Sequence, residues 1–216
     1  MRNRIIILVI TFIFSNTGFL SAQTTKGNFL LAEMTKIDVV GYGAQSSMNL
    51  GWTTYTSKND SGDESDPIKA FSINLIPRVG YFVVDNLALG LNFDIDYARS
   101  TRRDSDYIYK STLFTTGPFI RYYIPTPKLL PFAEINYSIG SSGYKWTDEI
   151  GEGGGKNQVQ QFGFGMGIGF PLGEKVTFDT LVGYQLYTVK AKDDNEDNAR
   201  DIISTLGLKL GLTVFL

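Results

Sequence analysis

Seven ionisable residues stand out because each interrupts a stretch that otherwise alternates apolar with small or polar residues: Arg78, Asp94, Asp96, Arg121, Glu134, Asp179 and Lys209. Three are basic and four acidic, so a shared enclosure would be close to neutral. Carboxylates such as Asp94 and Asp96 can act as a general acid and base. Their spacing of two puts both on one wall of a strand, and no nucleophile accompanies them. The chain has no histidine and no cysteine. That removes the usual general base, the commonest metal ligand, a disulfide framework and a lipid-anchoring thiol. Neither enzymatic activity nor a cofactor is expected.

Two further motifs invite a chemical reading. Gly163-Phe164-Gly165-Met166-Gly167-Ile168-Gly169 carries glycines at nucleotide-loop density, but that fingerprint needs G-x-G-x-x-G at a strand-to-helix turn. A strand with one face of small residues fits better. Asp193-x-Asn195-x-Asp197 opens like a calcium loop. Asn198 and Ser204 stand where that loop needs glycine and glutamate, so a solvated acidic loop is expected and no metal site is assigned. Arg102-Arg103 in another loop serves solubility or touches lipid phosphates.

The elements that carry these residues are strands. Asp85-Asn86, Lys128 and Gly173 mark tight turns, and with the terminus at Leu216 they fall 43, 45 and 43 residues apart. One hairpin fills each interval. Counting back gives eight strands near 45–57, 69–83, 87–99, 108–124, 130–144, 158–170, 176–190 and 202–216. Leu87, Leu89, Leu91, Phe93, Ile95 and Tyr97 share one face, opposite Ala88, Gly90, Asn92, Asp94 and Asp96. The other strand ends are joined by long polar loops at 57–68, 99–107, 144–157 and 190–201. Short turns at one rim and long charged loops at the other are the asymmetry of an outer-membrane barrel. Tyr81, Tyr122, Phe132 and Phe170 lie toward the short-turn rim; Tyr97, Tyr107, Tyr109, Tyr137, Tyr144 and Trp146 lie toward the loop rim. Two aromatic girdles would follow.

The fold class expected is therefore all-β, an eight-stranded antiparallel up-and-down transmembrane barrel. Residues 1–22 read as a signal peptide, with Arg2 and Arg4 before an apolar core over 5–14 and Ser21-Ala22 at the cut. Residues 23–43 are left open: they extend the first strand, pack under the barrel or form an arm. The barrel is expected over 44–216. No later run of eighteen apolar residues exists, which excludes a helical membrane protein. A net charge of −2 argues against nucleic-acid binding.

The last strand resembles the C-terminal assembly signal of Gram-negative outer-membrane barrels. Lys209, Gly211, Val214 and Leu216 carry the pattern, with Phe215 penultimate where the usual aromatic is terminal. More broadly the chain resembles the outer-membrane β-barrel domain family. The resemblance rests on Lys26–Leu31, Pro77–Val83, Leu87–Leu91, Gly117–Ile124 and Pro131–Glu134. It implies the fold, the outer membrane, contact with its lipids and lipopolysaccharide, and delivery by the outer-membrane assembly machinery.

With apolar faces toward lipid, the seven charged residues form an interior network whose role is structural. Arg121 is expected opposite Glu134 as a bidentate pair, and the glycine face of 163–169 makes room for Phe119. The leading expectation is a non-enzymatic scaffold whose loops make surface contacts. The alternatives are a narrow passive channel and a soluble lipocalin-like carrier with its walls reversed.

Overall fold

The computed structural model describes residues 23–40, 50–55, 68–102, 106–192 and 199–216. Among the described residues, nine strands form one antiparallel sheet: β1 (Phe29–Val40), β2 (Leu50–Tyr55), β3 (Ile68–Val84), β4 (Leu87–Arg102), β5 (Ile108–Tyr123), β6 (Leu130–Thr147), β7 (Glu152–Pro171), β8 (Val176–Ala191) and β9 (Asp201–Phe215). From β3 to β9 each strand pairs with the next in sequence. β1 pairs with β9 along one edge and with β3 along the other, which closes the sheet into a barrel. β2 continues β1's place beside β3: Met34 stands opposite Ile76, and Leu50 opposite Ile73. One position in the cylinder is thus filled by two segments, giving eight staves.

The first stave starts earlier than the expected strand at 45–57. Within the open segment 23–43, residues 29–40 form β1, and the described part of 45–57 is the short β2. The reason lies in the side chains. Phe29 and Leu31 face outward while Leu30, Ala32 and Met34 are buried inward, so both faces are apolar and the period of two disappears. Residues 23–28 pack under the turn rim. Gln23 donates to the Glu174 carbonyl, the Thr24 hydroxyl donates to Asn86 Oδ1 at 2.6 Å, and the Gly27 N–H reaches the Phe82 carbonyl at 3.0 Å.

The turn at Asp85-Asn86 joins β3 to β4 in two residues, with Asn86 at φ 67°. At the opposite rim the ladders run further than the alternation does. β6 and β7 continue to Thr147 and from Glu152, so only 148–151 turn; β4 likewise continues to Arg102. Above the apolar band both faces are polar, so the chain loses its alternation while keeping its hydrogen bonds. The strands have 15 to 20 residues from β3 to β9, against the roughly 9–11 that span hydrocarbon.

The two walls are chemically opposite. On β4, Leu89, Leu91 and Ile95 are exposed, Leu91 at 48%, whereas Asn92 and Asp94 are buried, Asp94 at 2%. On β7, Phe162, Phe164, Met166, Ile168 and Phe170 point outward and the intervening glycines inward, leaving Met166 68% exposed. Residues 1–22, read above as a signal peptide, the acidic motif at 193–197, Arg103 and most of the loop at 57–68 lie outside the described residues.

Candidate functional site

The interior is layered, as successive inward positions on β6 show: Leu130, Phe132, Glu134, Asn136, Ser138. Nearest the turn rim the filling is apolar rather than ionic. Leu30, Phe82, Tyr123, Phe132 and Phe215 are fully enclosed. The Tyr123 ring lies 5.8 Å from Phe82, 5.6 Å from Phe132 and 5.9 Å from Phe215, centroid to centroid. This layer corrects two expectations. The interior is not filled by the charge network alone, and Phe132 belongs to this filling rather than to an outer girdle, because it shares its strand face with Glu134. Tyr81 and Tyr122 are exposed on the outside, as a girdle requires.

Glycine lets these rings lie flat against the wall. A Cβ on Gly167 would stand 2.4 Å from the Phe132 ring, and one on Gly90 would stand 2.6 Å from the Phe119 ring. Phe119 therefore rests on the glycines of β3 and β4, and the glycine face of β7 accommodates Phe132 instead.

Four of the seven predicted charges meet in the next layer. Arg121 and Glu134 are directly opposite in the β5–β6 ladder. Arg121 Nε and Nη2 reach Glu134 Oε2 at 2.9 and 2.8 Å, and Nη1 reaches Asp179 Oδ2 at 2.7 Å. Arg78 Nη1 donates to both Glu134 oxygens, at 2.6 and 2.7 Å. Thr177 and Thr213 donate their hydroxyls to Asp179, each at 2.7 Å. The Arg121 guanidinium also lies 4.1 Å from the Phe132 ring centroid, within cation–π range. Two cations and two anions enclosed together cancel in charge. Each carboxylate oxygen has a donor, which an enclosed ionic cluster needs if it is not to destabilise the fold.

The other three predicted charges lie elsewhere. Asp94 accepts from Asn74 at 3.2 Å and from Gln161 at 3.3 Å, and Asp96 accepts from Asn74. Lys209 is half-buried and shares with Glu134, Asn136 and Gln185 the lining of a cavity of about 20 Å³, room for roughly one water. Sequence reasoning missed Asn74, Asn92, Gln161 and Gln185. Their signal was their inward phase on strands already assigned; neutral amides simply do not stand out beside charges.

No protein-family model matches the chain, and no curated protein matches it. Among solved structures it is similar to neisserial surface protein A, with 16% identity over 88% of this chain and 97% of that one, at a TM-score of 0.39. Ail, the attachment invasion locus protein of Yersinia pestis, matches with 11% identity over 89% and 100%, at 0.40. The outer membrane protein OprG of Pseudomonas aeruginosa matches with 14% identity over 90% and 98%, at 0.35. Similarity this distant carries no argument. The barrel is read from its own ladders and its two walls.

Proposed function

We propose that this chain is an integral outer-membrane protein, non-enzymatic, whose closed barrel is a scaffold presenting its long hairpins outside the cell. One observation carries the reading: exposed Leu, Ile, Phe and Met cover the outside while Arg78, Arg121, Glu134 and Asp179 are enclosed. In water that arrangement would expose a large apolar surface. In a bilayer it places Arg78, Arg121, Glu134 and Asp179 away from hydrocarbon and the exposed apolar wall against it. A soluble carrier needs the reverse.

Closure is supported by the aromatic layer across the turn-side end and the ion pairs stacked on it. The carboxylates a hydrolase would use are held by guanidinium, hydroxyl and amide donors, which supports a structural role for them. The test joins two measurements on the full chain. Cell fractionation is expected to place it with outer-membrane proteins, showing heat-modifiable gel migration. Planar bilayers containing the purified protein are expected to show no steady conductance. Recovery in the periplasmic soluble fraction contradicts the membrane reading, and sustained single-channel current contradicts closure.

A further inference from the structure

The outer wall carries a second pattern that membrane insertion alone does not require. On each of six consecutive strands the outward face carries one basic residue at or just beyond the loop-side end of its apolar run: Lys69 on β3 and Arg99 on β4 directly, and Lys110 on β5, Lys145 on β6, Lys156 on β7 and Lys190 on β8 after one or two polar or small residues. All keep the outward phase of their strands, the phase of exposed Leu75, Ile95, Phe114, Ile139, Phe162 and Val182. The ladders from β4 to β8 carry no bulge that would reverse it.

Register turns these residues into a belt. Arg99 is directly opposite Lys110, and Lys110 is directly opposite Lys145. Lys156 lies diagonal to Lys145, whose own partner is Gly154, and Lys69 lies diagonal to Arg99, whose partner is Phe71. Like charges directly opposite on neighbouring strands are destabilising, so three in a row need a counter-charge. The outward faces of these six strands hold a single acid, Glu152, at the tip of the β6–β7 hairpin. Among the described residues, the ion pairs present join interior groups only. The turn rim has no such belt: its charges, Lys26, Asp85, Lys128, Glu174 and Lys175, mix both signs.

We infer that the belt is a binding surface for the phosphate groups of an outer-leaflet lipid of the lipopolysaccharide class. The inference rests on the membrane reading proposed above. It commits the loop-side boundary of the apolar band to one ligand chemistry. Acyl chains lie along the exposed Leu, Ile and Phe wall, and the phosphates sit where that wall ends. There Arg99 offers a fork to a phosphate and the lysines offer point charges. Six cations spread over β3 to β8 suit a ligand with more than one phosphate, or several lipids side by side. β9 ends its outward run in Leu206, Ser204 and Ile202, so that strand stands outside the belt.

The test uses the full chain in phosphatidylcholine nanodiscs doped with bisphosphorylated lipid A or with its dephosphorylated form. Lipid retained by the protein is quantified by native mass spectrometry. The wild type is expected to retain the phosphorylated lipid selectively. R99Q/K110Q/K145Q is expected to weaken that retention by about a hundredfold, from roughly fivefold per basic residue at a membrane surface. K26Q/K128Q/K175Q at the other rim is expected to leave it unchanged. Inorganic phosphate added to the buffer should not compete. Equal retention of both lipids, an unaffected belt variant, or efficient competition by free phosphate would each overturn the inference. Heat-modifiable migration of every variant reports folding. Failure of the wild type to enter nanodiscs would instead count against the membrane reading itself.

Discussion

The Arg121 guanidinium and the Glu134 carboxylate face each other across β5 and β6, fully enclosed, at 2.8 Å between Nη2 and Oε2. Arg121 also holds Asp179 at 2.7 Å, so one cation serves two acids from strands far apart in the chain. The pair thereby links the middle of the barrel to β8 across the lumen.

Arg121→Met is expected to destabilise the barrel by about 3–5 kcal/mol, because it leaves enclosed carboxylates without their main counter-charge. The charge-balanced variant R121M/D179N, which leaves Arg78 paired with Glu134, is expected to lose less than R121M alone. Urea unfolding of the refolded protein in lipid bilayers, followed by tryptophan fluorescence, checks both. A double variant less stable than R121M would show that the ion pair itself, and not avoidance of unpaired charge, holds the interior.

Gly167 supports the Phe132 ring. Gly167→Ala places a methyl group 2.4 Å from that ring and 2.4 Å from the Thr180 carbonyl, and is expected to cost about 1–3 kcal/mol as overpacking. Gly143→Ala, whose nearest neighbours stand 3.6 Å away, should be nearly neutral. Urea midpoints of the two variants give the comparison, and equal midpoints contradict the packing.

The aromatic layer is the seal. F82A/Y123A/F132A, removing three enclosed rings, is expected to admit measurable ion current in planar bilayers where the wild type admits none. A folded triple variant that stays silent would mean the ionic layer alone blocks the lumen.

Asn86 joins the N-terminal segment to the turn rim. It sits at φ 67°, its amide N–H donates to the Thr24 carbonyl at 2.7 Å, and its side chain accepts from the Thr24 hydroxyl. Asn86→Ala combines left-handed strain of about 1–2 kcal/mol with a lost hydrogen bond worth roughly 1 kcal/mol. Asn86→Gly keeps the backbone and loses only the bond. The expected order of thermal stability is wild type, then N86G, then N86A, measured by the temperature at which heat-modifiable migration is lost.

Much of the barrel was legible because its two walls differ in chemistry. Where Leu89 and Leu91 are exposed and Asn92 and Asp94 are enclosed, the period of two is plain and the phase of every charge follows. Legibility failed where the contrast fails. Leu30 and Met34 face an apolar interior, so β1 did not read as a strand with two different sides. Residues 144–147 and 152–157 leave the apolar band, so a ladder read as a loop. The counter-charges of Arg121 were half legible: Glu134 follows from the hairpin register, whereas Asp179 arrives from β8 through closure of the barrel, a long-range relation that no local pattern encodes. The basic belt was present in the sequence as single residues, but only the paired register sets Arg99, Lys110 and Lys145 side by side.

In the proposed membrane setting the Leu/Ile/Phe/Met wall touches hydrocarbon and the polar wall does not. The chain has no cysteine, so single-cysteine variants report one position each. L91C and M166C are outward, and T115C and S138C replace fully enclosed side chains. With the protein inserted in vesicles, a maleimide confined to the acyl-chain region is expected to modify L91C and M166C and to spare T115C and S138C. Modification of T115C and S138C with L91C and M166C protected would mean that the two walls are reversed.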